Sequence, residues 1–150
     1  MQRTLFSFQA DLFNTTEEKD DYFNPGNHGQ DAAAWLAKRL QEQGATVGKV
    51  DQEDYGWYFF FTCDDQELCL VIGYRPGIQE PALWVGWVER KIALWKAPFV
   101  NRRQGIAPAA LTRVHEVLQA EKGISNVRWH DYRDFEKGQE EGAPEPFGPQ

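Results

Sequence analysis

The 150-residue chain is poor in the residue types that most often carry chemistry: two cysteines (Cys63 and Cys69), one methionine, two serines (Ser7 and Ser125) and three histidines. Each scarcity excludes something. Neither serine lies in a G-x-S-x-G elbow, so a hydrolase of that pattern is not expected. The histidines (His28, His115, His130) are scattered, with no HxxxH or HExxH spacing, so no helical zinc site is expected. The cysteines form neither a CxxC metal pair nor a Cys/His nucleophile pattern. No apolar run approaches the roughly 20 residues of a membrane-crossing helix. Residues 1–6 bring no basic stretch leading into an apolar segment, so no secretory signal is expected and a cytoplasmic location is. There the two thiols stay reduced. A cross-strand disulfide between Cys63 and Cys69 would need an odd-length turn centred on Gln66. A two-residue turn at Asp65-Gln66 would pair Cys63 with Leu68 instead.

What the chain has is aromatic surface and acid. Six Trp, five Tyr and ten Phe make 14% of it, which excludes overall disorder. The length suits one domain, since domains most often run to about 100–150 residues. The expected division is an α+β domain over 1–135 and an acidic, Gly/Pro-rich tail over 136–150, disordered or loosely packed. The net charge is −7, unevenly spread. Residues 1–89 carry 6 basic and 15 acidic side chains, 90–133 carry 9 and 3, and 134–150 carry 1 and 5. An acidic chain is a poor ligand for duplex nucleic acid, where Lys and Arg on phosphates supply most of the affinity. The basic middle keeps a small anionic ligand open.

Periodicity gives the fold. Residues 4–13 alternate, with Phe6, Phe8, Ala10 and Leu12 on one side, as in a half-buried strand. Residues 15–29 are polar and contain the turn string Asn24-Pro25-Gly26. A helix follows at 30–43, with Ala32, Trp35, Leu36, Arg39, Leu40 and Gln43 on one stripe and Gly44 closing it. Strands are expected at 47–51, 56–63, 68–74 and 82–89. The second has Trp57, Phe59 and Phe61 on one face and Tyr58, Phe60 and Thr62 on the other. Residues 92–100 fit helix or strand equally. A second helix covers 107–122, with Ala110, Leu111, Val114 and Leu118 inward, and a last strand covers 124–130. Short turns between successive strands predict one antiparallel sheet of about five or six strands, with two main helices on one face.

The string Asp51-Gln52-Glu53-Asp54-Tyr55-Gly56-Trp57 sets acids and aromatics just before the strongest strand, and Asp64-Asp65 lie beyond its far end. Aromatics among charges are what protein interfaces use, and an acidic surface steers toward a basic partner. Asp51, Glu53, Asp54, Tyr55, Trp57, Asp64 and Asp65 are therefore the expected partner-binding residues. The size, acidic balance and aromatic sheet resemble small bacterial α+β immunity-type proteins, cytosolic antidotes to secreted toxins. That resemblance implies a non-enzymatic inhibitor of another protein and carries no catalytic residues.

The segment Arg102-Arg103-Gln104-Gly105-Ile106-Ala107 opens the second helix. Arg102, Gly105 and Ala107 resemble the acetyl-coenzyme A loop of the GNAT acetyltransferases, Gln/Arg-x-x-Gly-x-Gly/Ala, in which free amides at a helix start hold a pyrophosphate. The resemblance implies acetyl-CoA as cofactor and an N-acyltransferase, with Arg102, Arg103, Gly105 and Ala107 binding it. Pro108 departs from what the loop needs, since it brings no N–H. A third reading is a small-molecule pocket walled by Trp84, Trp87 and Trp95, against which stands ordinary core packing. No catalytic set and no metal site is expected, and the oligomeric state is open.

Overall fold

The computed structural model describes residues 2–54, 56–93, 96, 98 and 100–149. Its elements are β1 (Leu5–Gln9), α1 (Gln30–Glu42), β2 (Thr46–Val47), β3 (Asp51–Glu53), β4 (Gly56–Cys63), β5 (Gln66–Arg75), β6 (Leu83–Arg90), α2 (Pro108–Ala120), β7 (Ser125–His130) and α3 (Tyr132–Glu136). The chain is α+β, with one open antiparallel sheet ordered β2-β4-β5-β6-β1-β7 and β3 also paired to β4.

The sheet has seven strands among the described residues, where five or six were expected. The difference lies at the β4 edge. The single strand expected over 47–51 is two short ones, pairing Val47 with Phe61 and Asp51 with Tyr58. Four steps along the edge thus face only three on β4, a bulge of the kind that edges tolerate.

Strand alternation sorts the side chains into two faces. Phe6, Phe8, Trp57, Phe59, Phe61, Leu70, Ile72, Trp84, Val88 and Trp129 point to one face and form the core with Leu36 and Leu40 of α1 and Leu111, Val114 and Leu118 of α2. At about 25 cal/mol per Å² of apolar surface removed from water, this layer is the main stabilising term. The α1 stripe is rotated from the expected one. Ala33 and Ala37 are buried while Arg39 is exposed and pairs with Glu42, because small alanines let the helix lie close to the sheet.

The β4–β5 turn is also set differently. Asp64 and Asp65 both take positive φ (49° and 61°), the geometry of a two-residue hairpin turn, and Cys63 pairs with Gln66. Cys69 then faces Phe60, so the two buried thiols lie on opposite faces of the sheet and cannot meet. Burial pushes both thiols up, Cys69 to about 12 with Glu89 and Glu53 adding to the shift. The described residues of 92–100 join no strand, and the rest of that segment, with Trp95, lies outside the described residues.

The tail differs most from its expectation. Its backbone is docked. Ala143 and Trp129 exchange two hydrogen bonds of 2.7 Å, and Arg3 N–H donates to Pro146 C=O at 2.8 Å. Arg3 is fully buried (0% exposed), and its guanidinium donates to the carbonyls of Glu145 (3.2 Å) and Gly148 (2.8 Å). A composition that cannot form a core can still be held by backbone bonds to one that does.

Candidate functional site

The polar loop between β1 and α1 is tied to β3. In this loop, Asn14 Oδ1 accepts from the amides of Thr16 (3.0 Å) and Glu17 (2.9 Å). Glu18 accepts from Gly26 N–H (2.9 Å), and its carboxylate lies 3.6 Å from Nε2 of buried His28. The His28 ring sits between those of Tyr22 and Tyr74. Gln52 of β3 clips the loop to the sheet: its Nε2 donates to Asp21 C=O, and its Oε1 accepts from Phe23 N–H (2.9 Å) and Asn27 Nδ2 (3.3 Å). Asn27 also donates to Glu53 C=O at 3.2 Å.

The segment 21–27 is thereby tied to the Gln52 side chain and the Glu53 backbone. Asp20, Asp21, Asp51 and Asp54 are exposed, Glu53 is half-buried, and Phe23 is 61% exposed. Burial raises the Glu53 carboxyl, with like charge from Glu89 and Asp54 adding to it. Burial likewise raises Tyr22, and Asp31, Glu18 and Asp21 add to that shift. Crowded negative charge of this kind is relieved by a cation.

The expected partner-binding residues therefore separate. Asp51 and Glu53 alternate with Gln52 and so turn to the sheet face of Tyr58 and Glu89, while Asp54 is exposed just past β3. Trp57 is not on the surface: it is 3% exposed, and its indole N–H donates to Asn27 C=O at 2.7 Å. It holds the acidic loop from inside, because alternation turns it to the core face. Tyr55 lies outside the described residues. Asp64 and Asp65 lie at the other end of β4, in a hollow with Arg90, Lys91 and Arg113 that offsets their charge. Sequence reasoning missed Asp20, Asp21 and Phe23. The charge run at 17–21 was visible, but Gln52 as the link was not.

Arg102, Arg103, Gln104 and Gly105 of the Arg102–Ala107 segment line a second hollow of about 900 Å³ with Glu89, Asp131, Tyr132, Arg133 and Glu136. Arg102, Arg103 and Arg133 are matched there by three carboxylates. The Arg103 guanidinium stacks 3.5 Å from the Tyr132 ring centroid. The amides at the start of α2 are already taken: Ile106 N–H donates to Gln2 Oε1 (3.2 Å) and Ala107 N–H to Gln66 Oε1 (2.7 Å). Pro108 follows in the first turn, and Gly105 takes φ 69°. Of the three tryptophans considered for a pocket, Trp84 points into the core and Trp87 to the opposite face. They wall no common space.

One buried polar pair went unforeseen. Ser7 Oγ and His130 Nε2 are 2.8 Å apart on the sheet face away from α1 and α2. Alternation places Ser7 opposite Phe6 and Phe8, but the pairing of β1 with β7 that brings His130 beside it has no local signal. Among the described residues no group of His, Cys, Asp and Glu has the makings of a metal site, and no helix is long and apolar enough to cross a membrane. Compared with known proteins, the chain matches no family model, no curated protein and no solved structure.

Proposed function

We propose that this chain is a cytosolic protein-binding module of the immunity type, and that it holds a basic partner protein against the acidic surface of Asp20, Asp21, Asp51, Glu53 and Asp54, with Phe23 as the apolar anchor. The observation that carries the reading is the clip at Gln52, which fixes the acidic loop and its exposed Phe23 ring to the edge strand that bears Asp51, Glu53 and Asp54. Interfaces pair a few aromatic anchors with a charged rim, and the rim speeds encounter with an oppositely charged partner. The raised Glu53 carboxyl supports this, because a cationic group set beside it would stabilise its ionised form.

The acyl-CoA reading has less behind it. A pyrophosphate needs free amides at the helix start, and Gln2 and Gln66 occupy those of Ile106 and Ala107.

The test uses paired baits in a lysate of the source cells: the wild-type chain and the Asp21→Lys/Glu53→Lys/Asp54→Lys variant. A basic protein held in stoichiometric amount by the first, and lost from the second while its melting curve is unchanged, supports the proposal. Equal capture by both baits, or capture of an acidic protein alone, overturns it.

A further inference from the structure

The basic stretch 90–133 has no part in the acidic surface, yet three of its arginines meet in one place. Arg102 and Arg103 of the loop before α2 and Arg133 of α3 line the hollow of about 900 Å³, together with Glu89 of β6, Asp131 between β7 and α3, and Glu136 of α3. Three charges of each sign thus share one space. Opposite charges so gathered commonly pair, as Arg39 does with Glu42 and Arg75 with Glu140 elsewhere on the chain. In the hollow none does. Among the described residues, no guanidinium nitrogen of Arg102, Arg103 or Arg133 lies within 4.0 Å of a carboxylate oxygen.

Each group is held by neighbours that leave its charge in place. The Arg103 guanidinium lies on the Tyr132 ring, 3.5 Å from its centroid, which fixes its plane and leaves the donors at its edge free. Its Nε is buried without a partner among the described residues. On the acidic side the donors are neutral. Asp131 Oδ1 accepts from the amides of Arg133 (3.0 Å) and Asp134 (3.1 Å). Glu136 faces the Tyr132 hydroxyl, which burial pushes up, with Arg103 opposing the shift and Glu136 adding to it. Glu89 stands opposite Cys69 on the sheet, and no cation is paired with it among the described residues.

From these six unpaired charges in one hollow we infer that it binds a free α-amino acid as the zwitterion. The guanidinium groups take the ligand's carboxylate, for which their forked donors have the right geometry, and the acidic side chains take its ammonium group. A ligand of one charge would satisfy one set and crowd the other, whereas a ligand carrying both satisfies the two together. A free amino acid bears the two charges on one carbon atom, while a peptide carries them at opposite ends. The volume suits the whole molecule with its side chain, since small-ligand sites run to about 300–1,000 Å³. The site shares no residue with the acidic surface, so either can fail without the other.

The test titrates the intact, nitrogen-15-labelled chain at constant ionic strength with each of the common amino acids, and with acetate and methylammonium, which carry one of the two charges each. The expected result is a saturable displacement of the Arg103 Nε–H and Gly105 amide signals by at least one amino acid. Acetate and methylammonium should bind about tenfold more weakly or worse, the factor that one charged hydrogen bond carries. Arg103→Gln and Glu89→Gln should each weaken that amino acid to a similar degree, and Arg39→Gln, on α1, should change nothing. No saturable displacement by any amino acid overturns the proposal. Acetate or methylammonium binding as tightly as the amino acid does so too, since that marks a site for a single charge. A Glu89→Gln chain that keeps both its melting temperature and its affinity has the same force. The amino acid is compared with acetate and methylammonium on the wild-type chain, so a variant that fails to fold still leaves the result decisive.

Discussion

The phenyl ring of Phe6 lies on the backbone of Gly86. A Cβ built at Gly86 would fall 2.4 Å from Phe6 Cζ and 2.7 Å from Val71 C=O, so this glycine is the space in which the ring sits. The two residues face each other across the β1–β6 pair, and Phe6 is fully buried. Gly86→Ala should therefore destabilise the chain although alanine is the better strand residue. Overpacking of this kind costs about 1–3 kcal/mol. Urea unfolding should show that loss, and Phe6→Leu in the same chain should restore part of it, giving a coupling that a double-mutant cycle reads directly.

Arg3→Met keeps the volume and apolar stem of the side chain and removes the donors to Glu145 and Gly148. Hydrogen bonds from charged groups contribute about 1.5–3 kcal/mol each. The loss should fall on the segment after Gly138. Hydrogen exchange by mass spectrometry should speed up over 139–149 in the variant, while α1 and β4 keep their protection. Uniform acceleration across the chain would show that the strap is part of the global unfolding unit.

His130 ties stability to pH. Unfolded, a histidine takes up a proton near 6.5; folded, His130 does so only near 4, because burial and Arg128 oppose the charge. The contribution is complete above about pH 6.5, declines as the pH falls toward 4, and is flat below. The shift corresponds to roughly 3 kcal/mol at most. Stability measured from pH 7 to pH 4 should fall more steeply for the wild type than for His130→Gln. Parallel curves would contradict the buried neutral imidazole.

The thiols predict a reactivity. Raising Cys69 to about 12 from 9 lowers its thiolate fraction by about a thousandfold at neutral pH. Iodoacetamide at pH 8 should leave Cys69 unmodified in the folded chain and modify both cysteines in urea. An oxidant should give no Cys63–Cys69 bridge without unfolding, since the two lie on opposite faces of the sheet.

The extent to which the fold could be read from the sequence follows the range of the interaction that decides each element. Period-two and helical stripes, at Trp57-Phe59-Phe61 and at Leu111-Val114-Leu118, depend on neighbours a few residues away, and they led to the right faces. The Asp64-Asp65 turn was misplaced because the choice between turns depends on the positive φ that both aspartates accept. Trp57 was set among the partner-binding residues for its acidic neighbours in sequence, although it shares a strand face with Phe59 and Phe61, and the pleat turns that face inward. The docked tail and the Gln52 clip rest on hydrogen bonds between segments 14 to 145 residues apart, for which composition has no vocabulary.

The place of β1 has a consequence for how the chain comes to be folded. The first strand made is an interior strand. It lies between β6 and β7, and Phe6 waits for both Gly86 and Trp129. On a ribosome, β4 and β5 can pair as soon as they emerge, being joined by two residues. The aromatic side chains of β1 have no partner strand until about 80 residues later, and none on their second side until β7 has cleared the exit tunnel. Contacts of such separation fold slowly and leave hydrophobic strand edges exposed in the interval. The nascent chain is then most open to aggregation or to a chaperone between the completion of β5 and the release of β7.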